Sequence, residues 1–219
     1  KPAGVPCEGT GRPGEPTVLD FFPTAGSRLF VAGAFETAAE GLLIVTNNGA
    51  VAEAVTHARY RTPKVYWIGT KEGQEGIHPD IRAQIHGGET WYPEGATGDS
   101  QVTALRGGPG TEGFDFVLTI YEWGGRTFRS ILARHGIIAR RVLRVSVGPF
   151  ELRGLKTGQV RKIDDEVIAK FLADAEAHQE RRRPRGLIPK ADRRRIGGPN
   201  AQSTSPAGTR RPRPAAGAK

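Results

Sequence analysis

The sequence contains no methionine and a single cysteine, Cys7. One thiol excludes an internal disulfide and a zinc site built on several cysteines, and it fits a reducing compartment. Without a methionine, the chain that begins at Lys1 does not show its own translation start. That leaves room for a leader or an N-terminal domain ahead of it, and the residues from Lys1 onward show no signal-peptide pattern. No run of eighteen apolar residues occurs, so no membrane span is expected. No glycine motif of the Walker type is present, and nothing resembles a nucleophile elbow. The five histidines, His57, His78, His86, His135 and His178, lack metal-ligand spacing, so no metal site is expected.

What is abundant is turn chemistry and unevenly placed charge. Thirty glycines and sixteen prolines punctuate the 219 residues, a length that suits one domain or one domain plus a tail. Residues 181–219 carry twelve Lys and Arg and one acid, Asp192, whereas residues 1–180 hold twenty bases against twenty-two acids. The excess positive charge therefore sits entirely in a segment dense in Pro, Gly, Ala and Ser. Such a composition cannot bury enough apolar surface to fold alone. It reads as a disordered or extended basic tail over residues 179–219. Its clusters "RRRPR" (Arg181, Arg182, Arg183 and Arg185) and "DRRR" (Arg193, Arg194 and Arg195) suit nucleic-acid phosphates. The alternative is a solvated tail without a partner.

The body, residues 1–178, reads as mixed. Residues 16–22 suit one turn of helix. The apolar run 41–46 reads as a buried strand, followed by a helix capped by Asn47 or Asn48 and carrying Val51, Ala52 and Val55. Residues 63–69 read as a second strand, and 70–100 carry no clear signal. Residues 101–107 and 114–122 read as a strand pair, 126–136 as an amphipathic helix stopped by Gly136, and 137–148 as a long strand. A further hairpin is expected over 150–163 and a helix over 164–178, where acids lead and apolar residues recur at helical spacing. The sum is an α+β domain with a largely antiparallel mixed sheet flanked by helices. Trp67 and Trp123 read as core residues ahead of base-stacking ones. Arg140, Arg141 and Arg144 read either as phosphate contacts or as a solvated strand face.

Five ordered blocks resemble the catalytic domain of the RsuA/RluB-type pseudouridine synthases of ribosomal RNA. "KPAGV" is similar to that family's K-P-x-G-V, and "GAFETAAEGLLIVTNNG" to its G-R-L-D-x-x-T-x-G-L-L-L-L-T-N-D-G. "VTHARYRTPKVYWI" is similar to L-T-H-P-x-x-x-x-x-K-x-Y, and "EWGGRTFRSILARHG" to E-G-x-N-x-Q-V-R-R-M-x-x-x-x-G. "LRVSVGPFELRGLKTGQVRKI" is similar to L-x-R-x-x-I-G-P-L-x-L-x-x-L-x-x-G-x-x-R-x-L. The resemblance covers roughly residues 1–172.

This resemblance implies the pseudouridine synthase fold and a set of site residues. The family's catalytic aspartate closes G-R-L-D; its tyrosine in K-x-Y stacks on the uracil; a basic residue of the V-R block pairs with the aspartate. Tyr66, preceded by Lys64, falls at the tyrosine position, and Arg129 at the V-R position. Tyr66 reads equally as a core tyrosine. The first block departs from the pattern: Glu36 stands for the aspartate, Ala34 for the arginine, Phe35 for the leucine, Ala39 for the threonine and Asn48 for the aspartate of T-N-D-G. No cofactor is implied, since the isomerisation is redox-neutral and metal-free.

The sequence supports three readings. The first is an rRNA-binding homologue that has lost catalysis and acts in the ribosome or on an assembling subunit beside its proteins. The second is an active synthase with Glu36 as nucleophile. The third is a general RNA-binding or chaperone-like protein whose tail does most of the binding. RNA contacts are expected from Lys64, Arg126, Arg140, Arg141, Arg144 and the tail arginines. The family's S4-type domain, which often precedes K-P-x-G, is expected to be absent from this chain. By analogy with degenerate enzymes bearing basic tails, a mitochondrial setting is expected, with a cytoplasmic one as the alternative.

Overall fold

A computed structural model describes residues 1–8, 14–22, 28–70, 79–87, 89–93, 100–104, 112–121 and 128–182. The chain order is a 3₁₀ turn (Val18–Phe21), β1 (Phe30–Ala32), β2 (Glu40–Gly41), β3 (Ile44–Thr46), α1 (Gly49–Thr56), a second 3₁₀ turn (Ala58–Tyr60), β4 (Lys64–Thr70) and α2 (Pro79–His86). It continues with β5 (Gln101–Ala104), β6 (Phe116–Ile120), α3 (Phe128–Arg134), β7 (Ala139–Val147), β8 (Phe150–Glu151) and α4 (Asp165–Arg182).

The main sheet has the strand order β2-β7-β4-β6-β5, with β8 also on β7. Only β2 runs parallel to its neighbour; the other pairs are antiparallel. In β4 the period of two puts Lys64, Tyr66 and Ile68 on one buried face. Tyr66 lies opposite Leu118 of β6 and Arg144 of β7. That face meets Phe35, Ile85 of α2 and Leu132 of α3 in one hydrophobic core. A second core gathers Ile44, Val51, Val55, Val147, Phe150 and Phe171, where α1 and α4 pack; Phe150 and Phe171 meet edge to face at 5.1 Å.

The expected elements mostly form, with four departures. The run 41–46 is not one strand. Gly41 pairs with β7, while Ile44–Thr46 pairs with β1 in a separate two-stranded ribbon. The expected hairpin over 150–163 reduces to the two residues of β8, followed by turns at Gly154 and Gly158 where φ is +75° and +78°. α2 arises in the stretch that carries no clear sequence signal, and α4 runs on to Arg182. Asn48 caps α1 as expected, its side chain accepting from the N–H groups of Ala50 and Val51. Among the described residues no helix is long and apolar enough to cross a membrane.

Candidate nucleotide site

The site is built on the loop between β1 and β2 and on the face of the sheet below it. Phe35 points into the core and is buried, Glu36 is half-buried, and Ala34 is exposed. An arginine at position 34 would therefore start from the surface. A turn closes over Glu36, whose carbonyl accepts the Ala39 N–H at 3.1 Å.

Glu36 and Arg129 are 93 residues apart in sequence and meet in space. Arg129 Nε donates to Glu36 Oε1 at 2.5 Å, and about a quarter of each side chain remains exposed (27% and 26%). Arg129 Nη1 also donates to the carbonyl of Ala139, the first residue of β7. Arg129 stands in the first turn of α3, so its position follows from the helix start and is then fixed by β7. The pairing expected from the family pattern is present.

Tyr66 lies below this pair with no exposed surface. Burial pushes its phenol pKa above the ordinary value, and the nearby Arg144 charge opposes that rise. The phenol is thus neutral at physiological pH.

Arg144 is a correction to the sequence reading. It does not lie on a solvated strand face or reach open phosphates. It is 1% exposed, among the deepest side chains of the chain. Its Nε donates to the Leu42 carbonyl at 2.7 Å and its Nη1 to the Gly33 carbonyl at 2.7 Å. Its guanidinium rests 4.2 Å from the centre of the Phe35 ring. A buried charge is costly unless hydrogen bonds replace its water, and two backbone carbonyls do that for Nε and Nη1. Two sequence signals bear on it: the L-x-R-x-x-I-G-P block has its arginine at this position, and the period of two in β7 places Arg144 on the same face as the buried Val142. Lys64 departs from its expected role for the same reason: at 2% exposure it is no surface cation.

Arg144 also explains the glycine that closes the loop. A Cβ on Gly41, where φ is +117°, would fall 2.3 Å from the Arg144 carbonyl oxygen. β2 can lie against β7 only because that position has no side chain.

Two residues of the N-terminal segment tie the loop from the other side. The Cys7 thiol donates to the Phe35 carbonyl at 3.3 Å and accepts the Phe35 N–H at 3.5 Å. Lys1 Nζ donates to the carbonyls of Thr37 (3.0 Å) and Ala39 (2.5 Å) and lies 4.9 Å from the Phe35 ring centre. The K-P-x-G-V block includes Lys1 without saying what it holds, and no motif singles out Cys7.

The remaining expected contacts are dispersed. Arg140 and Arg141 are exposed on β7; Arg141 pairs with Glu40 at 2.7 Å and covers Phe114 at 4.4 Å. Trp67 meets Phe114 edge to face at 5.8 Å, as a packing residue does. Arg181 is exposed near the end of α4, and Arg182 is its last residue. Trp123, Arg126, Arg183, Arg185, Arg193, Arg194 and Arg195 lie outside the described residues. Among the described residues no group of His, Cys, Asp and Glu is placed to hold a metal.

Comparison with known proteins gives the family. The family model described as RNA pseudouridylate synthase matches residues 1–112. The ribosomal large subunit pseudouridine synthase B of Bacillus subtilis is 27% identical over 177 residues, covering 80% of this chain and 70% of that one. The ribosomal large subunit pseudouridine synthase E of Vibrio vulnificus is 25% identical over 175 residues, covering 74% and 72%. An RNA pseudouridine synthase of Aquifex aeolicus is 27% identical over 160 residues, and this chain spans 61% of its length. A crystal structure of a pseudouridylate synthase superposes with a TM-score of 0.59 at 21% identity, covering 78% of this chain and 70% of that one, which shows the fold. The chain belongs to the RNA pseudouridylate synthase family, in its RsuA/RluB-type branch.

Proposed function

We propose that this chain binds ribosomal RNA, in the ribosome or on an assembling subunit, without isomerising uridine at an appreciable rate. Two of the relatives above are named for the large ribosomal subunit, so large-subunit RNA is the first substrate class to test. The observation that carries the loss of turnover is Glu36, a glutamate in place of the family's aspartate, at the nucleophile position.

The size of the effect follows from geometry. Glutamate places its carboxylate about 1.5 Å beyond an aspartate's, one C–C bond. Misplacing a reacting group by about 1 Å costs on the order of 100-fold. Ala34 removes a cation from the surface beside the site, where it would help to hold a flipped nucleotide against a cost of roughly a few kcal/mol. Tyr66 also has no exposed face to offer a base. Both substitutions and the burial act in the same direction.

The tail supplies affinity in this reading. Residues 183–219 hold ten of the thirty-two Lys and Arg and one acid. Their contacts with phosphate release counterions and carry no sequence information. The folded body recognises RNA by shape and backbone. The ribosomal setting comes from the relatives' names; the mitochondrial setting rests on the basic tail alone, and the relatives named above are bacterial.

The second reading, an active synthase with Glu36 as nucleophile, is favoured by the retained Glu36–Arg129 pair and its quarter-open carboxylate. The two separate in an assay that follows binding and chemistry together. Large-subunit RNA fragments labelled with tritium at uridine C5 are incubated with the chain in excess. Retention on a filter without tritium release supports the proposal. Release at one tritium per bound site supports the second reading, and failure to retain RNA defeats both.

A further inference from the structure

We propose that Arg144 is a positioning residue, setting where Glu36 stands. The inference rests on reading Glu36 as the carboxylate of the nucleotide site, and it is indifferent to whether that site turns over.

Arg144 grips the Glu36 loop at both ends and in its middle. Its guanidinium donates to Gly33 at the start and to Leu42 just past the end, both at 2.7 Å. Its own backbone carbonyl accepts the Leu42 N–H at 2.8 Å. Its flat face carries Phe35 at 4.2 Å, and Phe35 is the residue directly before Glu36. The Lys1 side chain also touches the loop, but only between Phe35 and Ala39. Arg144 spans it from end to end.

The same strand holds the other half of the pair. Arg129 donates to Ala139 at the start of β7, five residues before Arg144. β7 is therefore a common ruler: one carbonyl fixes the guanidinium of Arg129, and one side chain fixes the loop that brings Glu36 to it. The fork of an arginine is needed for this. A lysine ammonium is a point charge that can follow one carbonyl but does not span two in a plane while lying flat on a ring. Phe35 in place of the family's leucine fits the same arrangement, since a leucine offers no ring face to the cation.

The test reads the pair directly in the full chain without RNA. In nitrogen–proton spectra the Arg129 Nε–H gives a side-chain signal, assigned by its loss in Arg129→Lys. Glu36→Gln marks where that signal lies when the charged partner is gone. With Arg144→Lys the signal is expected to move most of the way to the Glu36→Gln position, while the backbone amides keep their folded dispersion. An unmoved signal in folded Arg144→Lys overturns the proposal, because a purely structural arginine lowers the melting temperature and leaves the pair alone. Should Arg144→Lys not fold, Phe35→Leu decides: it keeps both guanidinium bonds and removes only the ring. A shifted Arg129 signal there supports positioning through Phe35, and an unmoved one overturns it. Tritium release by the native chain leaves this test standing, and an unmoved signal leaves the RNA reading standing.

Discussion

Replacing Gly41 with alanine tests how the site is fastened to the sheet. The added Cβ would fall 2.3 Å from the Arg144 carbonyl oxygen and 2.6 Å from its nitrogen, both backbone atoms that no rotamer can move. A φ of +117° strains any L side chain as well, at a cost of about 1–3 kcal/mol. Relief requires β2 to draw away from β7. That breaks the Leu42–Arg144 backbone bond and the Arg144 Nε bond to Leu42, each about 1 kcal/mol net. The total is about 3–5 kcal/mol, and for a domain of this size it lowers the melting temperature by roughly 10 °C. Gly154→Ala is the control. Its φ of +75° is equally left-handed, yet nothing lies within 4 Å of the new Cβ. It costs only the conformational term, about 1–2 kcal/mol. Thermal melts by circular dichroism compare the two. Equal losses would mean that the close approach of the Arg144 backbone has no effect of its own.

Other consequences are equally direct. Asn48→Ala removes both acceptor contacts at the start of α1; it should cost about 1 kcal/mol, read by urea unfolding, whereas Asn48→Asp should keep the cap. Tyr66 ionises less readily folded than unfolded, since burial raises its pKa above 10.0. The unfolded chain therefore loses that proton first, and the stability tied to it is full below pH 10.0 and falls as pH rises beyond. Urea melts from about pH 8 to 11 should show that fall, and Tyr66→Phe should reduce it. Deleting residues 183–219 removes ten bases; affinity for rRNA fragments should drop and the salt dependence flatten, while preference for a folded fragment over a scrambled one persists. Loss of that preference would mean that the tail alone selects the RNA.

How far the sequence is legible differs by element. α1 is readable because its cap is a local contact between Asn48 and nearby N–H groups. β7 is readable because nine residues form one continuous strand. The run 41–46 misleads because apolar content does not reveal pairing: Gly41 answers to β7 and Ile44 to β1. The hairpin at 150–163 misleads because its apolar residues serve the second core from turns. In the site, Glu36 and Arg129 are legible through the family pattern, which already carries their contact. The burial of Arg144 is not. Arginine on a strand beside Arg140 and Arg141 looks like a phosphate contact, and its burial depends on the backbone carbonyls of Gly33 and Leu42 and the Phe35 ring. Their position is a property of the folded loop.

Repairing the first motif asks whether catalysis was lost at Glu36 and Ala34. The Glu36→Asp, Ala34→Arg double variant and the native chain are compared for tritium release from C5-labelled large-subunit RNA, at equal bound RNA. The expected result is release by the double variant and none by the native chain, since Arg129 and the loop that meets it are in place. Release by the native chain that vanishes in Glu36→Gln would contradict the loss of catalysis and make Glu36 a working nucleophile.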